Sequence, residues 1–70
     1  MKIEITGDYI ELNKLLKIAD IAPTGGVAGL IITDGNVMVD GSTELRKRCK
    51  IHPGQTVQFQ DIVITVIGAQ

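Results

Sequence analysis

The sequence predicts an α+β domain, two helices packed on one side of a small, mostly antiparallel sheet, and three observations carry that prediction. Apolar residues recur with a helical period between Leu12 and Ala19. A threonine followed by Gly25-Gly26 opens a second apolar stretch, which Gly35 closes. From Val37 onward the period drops to two, with turn dipeptides between the apolar runs. Helices gathered in the first half and strands in the second segregate onto the two layers of an α+β fold.

Each element has its own signal. Lys2 to Ile5 alternates polar and apolar residues, so Ile3 and Ile5 share one face of a short strand. Leu12, Leu15, Leu16 and Ala19 stand at i, i+3, i+4 and i+7, the stripe of an amphipathic helix. Lys14 and Lys17 are three apart and so share a face turned away from that stripe. Pro23 ends the connection, Thr24 is placed as N-cap of a second helix running to about Asp34, and Gly35 suits its C′ position. Val37 and Val39 then alternate with Met38 and Asp40. Asp40-Gly41 is a two-residue hairpin signal, so Thr43 to about Arg46 reads as the return strand. Pro53-Gly54 makes the next turn, before a strand over Thr56 to Phe59. Gln60-Asp61 turns into a last strand over Ile62 to Ile67, with Ile62, Ile64 and Val66 on one face. The expectation is one strand, two helices and a four-stranded antiparallel meander, in one domain over residues 1–70.

Composition bounds what such a chain can be. With 70 residues and 44% of them hydrophobic, it has enough apolar surface for a compact core. A domain of this size buries only ~60% of the surface its unfolded chain exposes. Tyr9 and Phe59 are the only aromatics, so the core is aliphatic, and Tyr9 is expected to pack. No apolar run approaches the ~20 residues that span a bilayer. The start, Met1-Lys2-Ile3-Glu4-Ile5-Thr6, lacks the pattern of a signal peptide, and a single cysteine makes no internal disulfide. A cytoplasmic protein without a membrane partner is the expectation.

Formal net charge is −1, but its distribution is uneven. Arg46, Lys47, Arg48 and Lys50 fall within five positions, whereas the acids are scattered along the chain. Charges beyond roughly 8 Å are largely screened at physiological salt, so the local cluster decides what the surface attracts. Arginine and lysine neutralise phosphates irrespective of base sequence. A solvated, salt-bridged loop fits the same run. Thr24-Gly25-Gly26 offers the free N–H groups of a helix start, an anion site if the glycines let a phosphate approach. It fits equally a flexible helix start, and no Gly-Lys-Ser/Thr follows to make it a nucleotide loop.

Nothing in the chain points to catalysis. Cys49 lies between Arg48 and Lys50, neighbours that favour a thiolate, yet no His/Asp pairing accompanies it. One Cys and one His fall short of a structural zinc set, so no metal, cofactor or small-molecule substrate is expected. Single-strand binders stack successive bases on aromatic rings. Two aromatics serve that poorly, so an RNA ligand is expected to be folded and read through backbone and shape.

The ordered set of motifs resembles the αL-type RNA-binding domain named after ribosomal small-subunit protein four (S-four), especially its small stand-alone bacterial members. The matching stretches are Ile10 to Lys17, Thr24-Gly25-Gly26-Val27-Ala28, Gly35 to Gly41, Glu44 to Ile51, and Pro53-Gly54-Gln55-Thr56-Val57. The resemblance implies two angled helices on a small curved sheet, and non-catalytic binding of structured RNA, ribosomal or transfer RNA, with a link to the ribosome or its precursors. It implies contacts at Lys14, Lys17, Thr24, Gly25, Gly26, Arg46, Lys47, Arg48 and Lys50. Gly29 stands where the family often has lysine, which removes one phosphate contact. Asp40 stands where asparagine is common, which adds a negative charge near the basic strand. The first strand, the Val-Asp-Gly hairpin and the Pro-Gly-Gln-Thr-Val turn also resemble ubiquitin-like β-grasp proteins, which implies a carrier or a protein-interaction module as the alternative. Those carriers end in Gly-Gly, where this sequence has Gly68-Ala69-Gln70.

Overall fold

The computed structural model describes residues 1–69; Gln70, the last residue of the expected domain and of the chain-end comparison, lies outside the described residues. The elements in chain order are β1 (Lys2–Ile5), β2 (Ile10–Glu11), α1 (Leu12–Ile18), α2 (Gly25–Thr33), β3 (Val37–Val39), β4 (Ser42–Thr43), β5 (Lys50–Ile51), β6 (Thr56–Phe59) and β7 (Ile62–Gly68). The α+β class with two helices and a mostly antiparallel sheet is the one the sequence pattern predicts.

Both helices end as their sequences dictate. Thr24 Oγ1 accepts from the Val27 N–H at 3.1 Å and caps α2. At its other end Gly35 takes a left-handed φ of 82°. There the Gly35 N–H reaches Ile32 O at 3.0 Å and the Asn36 N–H reaches Ile31 O at 3.4 Å, the paired bonds of a Schellman motif. Helix α1 closes in the same way without a glycine. Asp20 takes the left-handed position (φ 60°), and the Asp20 and Ile21 N–H groups bond Lys17 O and Leu16 O. A short polar side chain tolerates that conformation better than most.

The sheet departs from the expected meander. Its order is β1-β7-β6-β3-β4, so β6 pairs with β3 and not with β4. The β3–β4 hairpin itself forms as read, with left-handed Asp40 and Gly41 (φ 50° and 84°) between Val39 and its partner Ser42. Its return strand stops at Thr43, short of the expected Arg46. The chain then leaves the sheet, forms β5 against β2 in a separate two-stranded ladder that the sequence pattern did not reveal, and re-enters on the other side of β3. The turn that brings it back runs from His52 to Gln55, with left-handed Gly54 (φ 95°) and a 3.1 Å bond from the Gln55 N–H to His52 O. Strand β1 lies parallel to β7 at the far edge.

One aliphatic core joins the layers. Leu12, Leu15 and Leu16 from α1, Ala28 and Ile32 from α2, and Val37, Val57, Ile64 and Val66 from the sheet are fully buried in a single cluster. The register aligns Val39, Val57 and Ile64 as one row across β3, β6 and β7, and Ile3 with Val66 as another. Ile62, expected on the same face, lies next to the β6–β7 turn and stays exposed. A Leu16→Ala variant is expected to lose about 2–5 kcal/mol, the range for emptying a leucine site in a packed core. Loss of less than about 1 kcal/mol in a urea melt would contradict the packing described.

Candidate nucleic-acid interface

Helix α1 begins without a side-chain cap, because Glu11 at its N-cap position makes no capping bond. Main-chain carbonyls fill that role. The Leu12 N–H donates to Cys49 O at 2.9 Å, and the Asn13 N–H to Lys47 O at 3.0 Å. The segment that supplies them is a turn closed by the Cys49 N–H on Arg46 O at 3.1 Å. The basic run is therefore a turn clamped to the start of α1 rather than the end of a strand. Its carbonyls serve the helix, and the side chains of Lys47 and Arg48 are left at the surface.

The facing wall is the start of α2. Gly25 and Gly26 fill its first two positions, where N–H groups have no acceptor within the helix. Between the walls runs a groove lined by Asn13, Gly25, Gly26, Gly29, Leu30, Thr33, Lys47 and Arg48. A Cβ on Gly29 would lie 3.2 Å from Lys47 Cδ, so the lysine stem rests on bare helix backbone. The cation that the resemblance places at position 29 is missing, and Lys47 lies over the same spot. Arg48 also borders a second hollow, shared with Arg46, Cys49 and Lys50.

The structure thus brings together Gly25, Gly26, Lys47 and Arg48 in one groove, with Arg46 and Lys50 beside it and Thr24 capping the helix beneath. Lys14 and Lys17 line neither hollow, and Lys14 is paired with Glu11 at 3.4 Å. Asn13, Gly29, Leu30 and Thr33 went unread as lining residues. For the last three a signal exists, since positions 26, 29, 30 and 33 recur on one helical face. Asn13 carries no such signal, because its place depends on the docked turn. Tyr9, expected to pack, is 43% exposed, with His52 and Lys50 against its ring.

The charges in the turn are not equivalent. Arg46 is held by Glu44, whose Oε2 accepts from both Nε and the main-chain N–H of Arg46 at 3.0 Å, while Oε1 accepts from the guanidinium at 3.0 Å. Among the described residues, no carboxylate lies within 4.0 Å of Lys47 or Arg48. Asp40, expected to add negative charge beside the basic strand, has its carboxylate engaged by the Thr56 N–H at 2.9 Å and Gln55 Nε2 at 2.8 Å. Those bonds, the main-chain one first, hold its pKa below the ordinary value. Cys49 is a partly buried free thiol. Burial, then the Glu44 carboxylate, push its thiol pKa up, against the opposing pull of Arg46.

Residues 3–67 match the family model of the S4 domain, and the chain belongs to that family. Between the two resemblances in the sequence, the family match decides for S-four. The chain is 44% identical over 60 residues to the "Putative RNA-binding protein YbcJ" of Escherichia coli (strain K12), spanning 86% of each protein. It is 29% identical over 58 residues to the "Probable ribosome maturation protein RlbA" of Bacillus subtilis (strain 168), spanning 83% of this chain and 82% of that protein. The solution structure of E. coli YbcJ, described as revealing an αL motif involved in RNA-binding, superposes with a TM-score of 0.72 at 39% identity. That match covers 94% of this chain and 85% of the other.

The Glu44–Arg46 clamp gives the turn a defined pH response. Hydrogen bonds from the Arg46 side chain, then from its main-chain N–H, lower the Glu44 pKa from an ordinary 4.5 to about 2. A depressed carboxylate contributes stability that is fully present above its unfolded pKa and is lost as pH falls through the folded one. Wild type is therefore expected to exceed Glu44→Gln in urea-melt stability at neutral pH. The gap should close as pH falls from about 4.5 toward 2. A gap that does not change over this range would remove the clamp from the account.

Proposed function

We propose that this protein is a non-catalytic, cytoplasmic binder of structured RNA, acting at the ribosome or on its precursors. One observation carries the reading. Two cations without carboxylate partners, Lys47 and Arg48, form one wall of a groove whose other wall is the glycine start of α2. The helix start offers main-chain N–H groups and the positive end of a helix dipole to an anion. The opposite wall adds an ammonium and a guanidinium, the latter able to grip a phosphate through two parallel hydrogen bonds. Gly25 and Gly26 have no neighbouring atoms crowding the Cβ position other than Thr24 Oγ1 at 3.8 Å, so a phosphate can approach the backbone.

Leu30 and Thr33 complete the groove with groups that read no base pattern. A surface of this kind follows the sugar–phosphate backbone of an A-form helix, which proteins recognise mainly by shape. The name of the E. coli relative supports RNA as the ligand, and that of the B. subtilis relative supports the ribosomal setting. Arg46 acts mainly through Glu44 in shaping the turn. Lys14 and Lys17 add to the general field outside the groove.

Two charge reversals test this reading. Lys47→Glu and Arg48→Glu are each expected to lower affinity for ribosomal RNA fragments about tenfold or more, the loss of one charge-assisted phosphate contact. Circular dichroism should remain that of the folded protein, because neither side chain supports the core. Wild-type affinity should fall with salt by roughly 0.7–0.9 log units per log unit for each phosphate contacted. Salt-independent binding, or full affinity in both variants, would end the proposal.

A further inference from the structure

Outside the groove, the least explained side chain is the single tyrosine. Tyr9 immediately precedes β2, and the Ile10–Ile51 register of the β2–β5 ladder sets it across from His52. Ile51, next to His52, goes fully into the core, whereas Tyr9 remains 43% exposed. The core is closed by leucine, isoleucine, valine and alanine, so the phenol is surplus to its packing. The imidazole of His52 lies beside the ring, with centroids 6.0 Å apart and planes inclined at 55°. His52 Nδ1 is 3.0 Å from Asp8 O, and because a carbonyl only accepts, Nδ1 carries the proton and the imidazole is tethered. Lys50 Nζ stands over one face of the tyrosine ring, 4.9 Å from its centre. The same lysine borders the hollow formed with Arg46, Arg48 and Cys49.

We propose that Tyr9, flanked by His52 and Lys50, is a stacking platform for one unpaired nucleobase next to the helical segment held in the groove. The proposal rests on the RNA-binding reading and deepens it: the ligand is a folded RNA with a single-stranded nucleotide at the edge of its helix. An exposed tyrosine offers a flat apolar face to any base. The ammonium stands over one face of the ring, so the base stacks on the other. The same lysine can engage the nucleotide's phosphate, and through Arg48 the positive surface runs on to the groove. A cation–π pair that served only to brace β2 against β5 would give the same contacts in the free protein but no preference for a base.

The test separates stacking from charge. One RNA duplex carries short single-stranded adenosine tails; a second has abasic tails with the same number of phosphates. Base–aromatic stacking predicts that wild type prefers the adenosine-tailed duplex by roughly 5- to 150-fold. Tyr9→Leu should bring the affinity for the adenosine-tailed duplex down to that for the abasic one, and Tyr9→Trp should keep the preference. The chain has one tyrosine and no tryptophan, so its intrinsic fluorescence reports Tyr9 without any substitution. Adenosine tails should quench it and abasic tails should not. Equal wild-type affinity for the two duplexes, a preference that survives in Tyr9→Leu, or unquenched emission would overturn the platform and leave the groove standing. No binding of either duplex would overturn both readings together.

Discussion

Two hydrogen bonds organise this molecule: the N–H groups of Leu12 and Asn13 donating to the carbonyls of Cys49 and Lys47. Helix α1 is seven residues long and starts without a side-chain cap. A helix that short is marginal by itself, and an unpaired donor at a buried end costs about 1–3 kcal/mol. Leu12 is fully buried, so its donor cannot turn to water instead. A main-chain segment from far along the sequence has to come to the helix. That requirement explains why the chain abandons the sheet after Thr43, why β5 pairs with β2, and why β6 returns on the opposite side of β3.

The same clamp makes the candidate site. Turning the carbonyls of the 46–49 segment toward α1 leaves its side chains at the surface, beside the glycine start of α2. The sequence then sorts the cations it has placed there. Glu44 holds Arg46 through three hydrogen bonds, which stiffens the turn and leaves Lys47 and Arg48 without carboxylate partners. Gly29 contributes by lacking a side chain, since any Cβ there would press on Lys47. The stem of a lysine reaching across from the turn covers the helix backbone at that point.

Much of the fold was legible because its signals are local. The i, i+3, i+4, i+7 leucine stripe, the Thr24 cap, Gly35 at the helix end and Asp40-Gly41 in the hairpin each rest on the conformational limits of a few adjacent residues. The two-residue strands β2 and β5 were not legible. They hold together by pairing across the chain, and two residues are too few to show a period. The basic run was legible as a cluster. Its division into a braced Arg46, two cations without carboxylate partners and a Lys50 beside Tyr9 was not, because each partner is chosen by the turn geometry. Tyr9 was read as a packing residue, but how far it would be covered was not legible: hydrophobicity marks what can be buried, and only the filled volume of the aliphatic core decides what must be.

By itself, then, the sequence determined the two helices, the ends of α2, the hairpin and an excess of positive charge between Arg46 and Lys50. Local sterics and side-chain periodicity suffice for those. The tertiary structure alone decided the strand order, the docking of the basic turn on α1, and which cations face the glycine start of α2. Those outcomes turn on where the unpaired N–H groups of one short helix find carbonyls, and the nearest suitable ones lie more than thirty residues away, at Lys47 and Cys49.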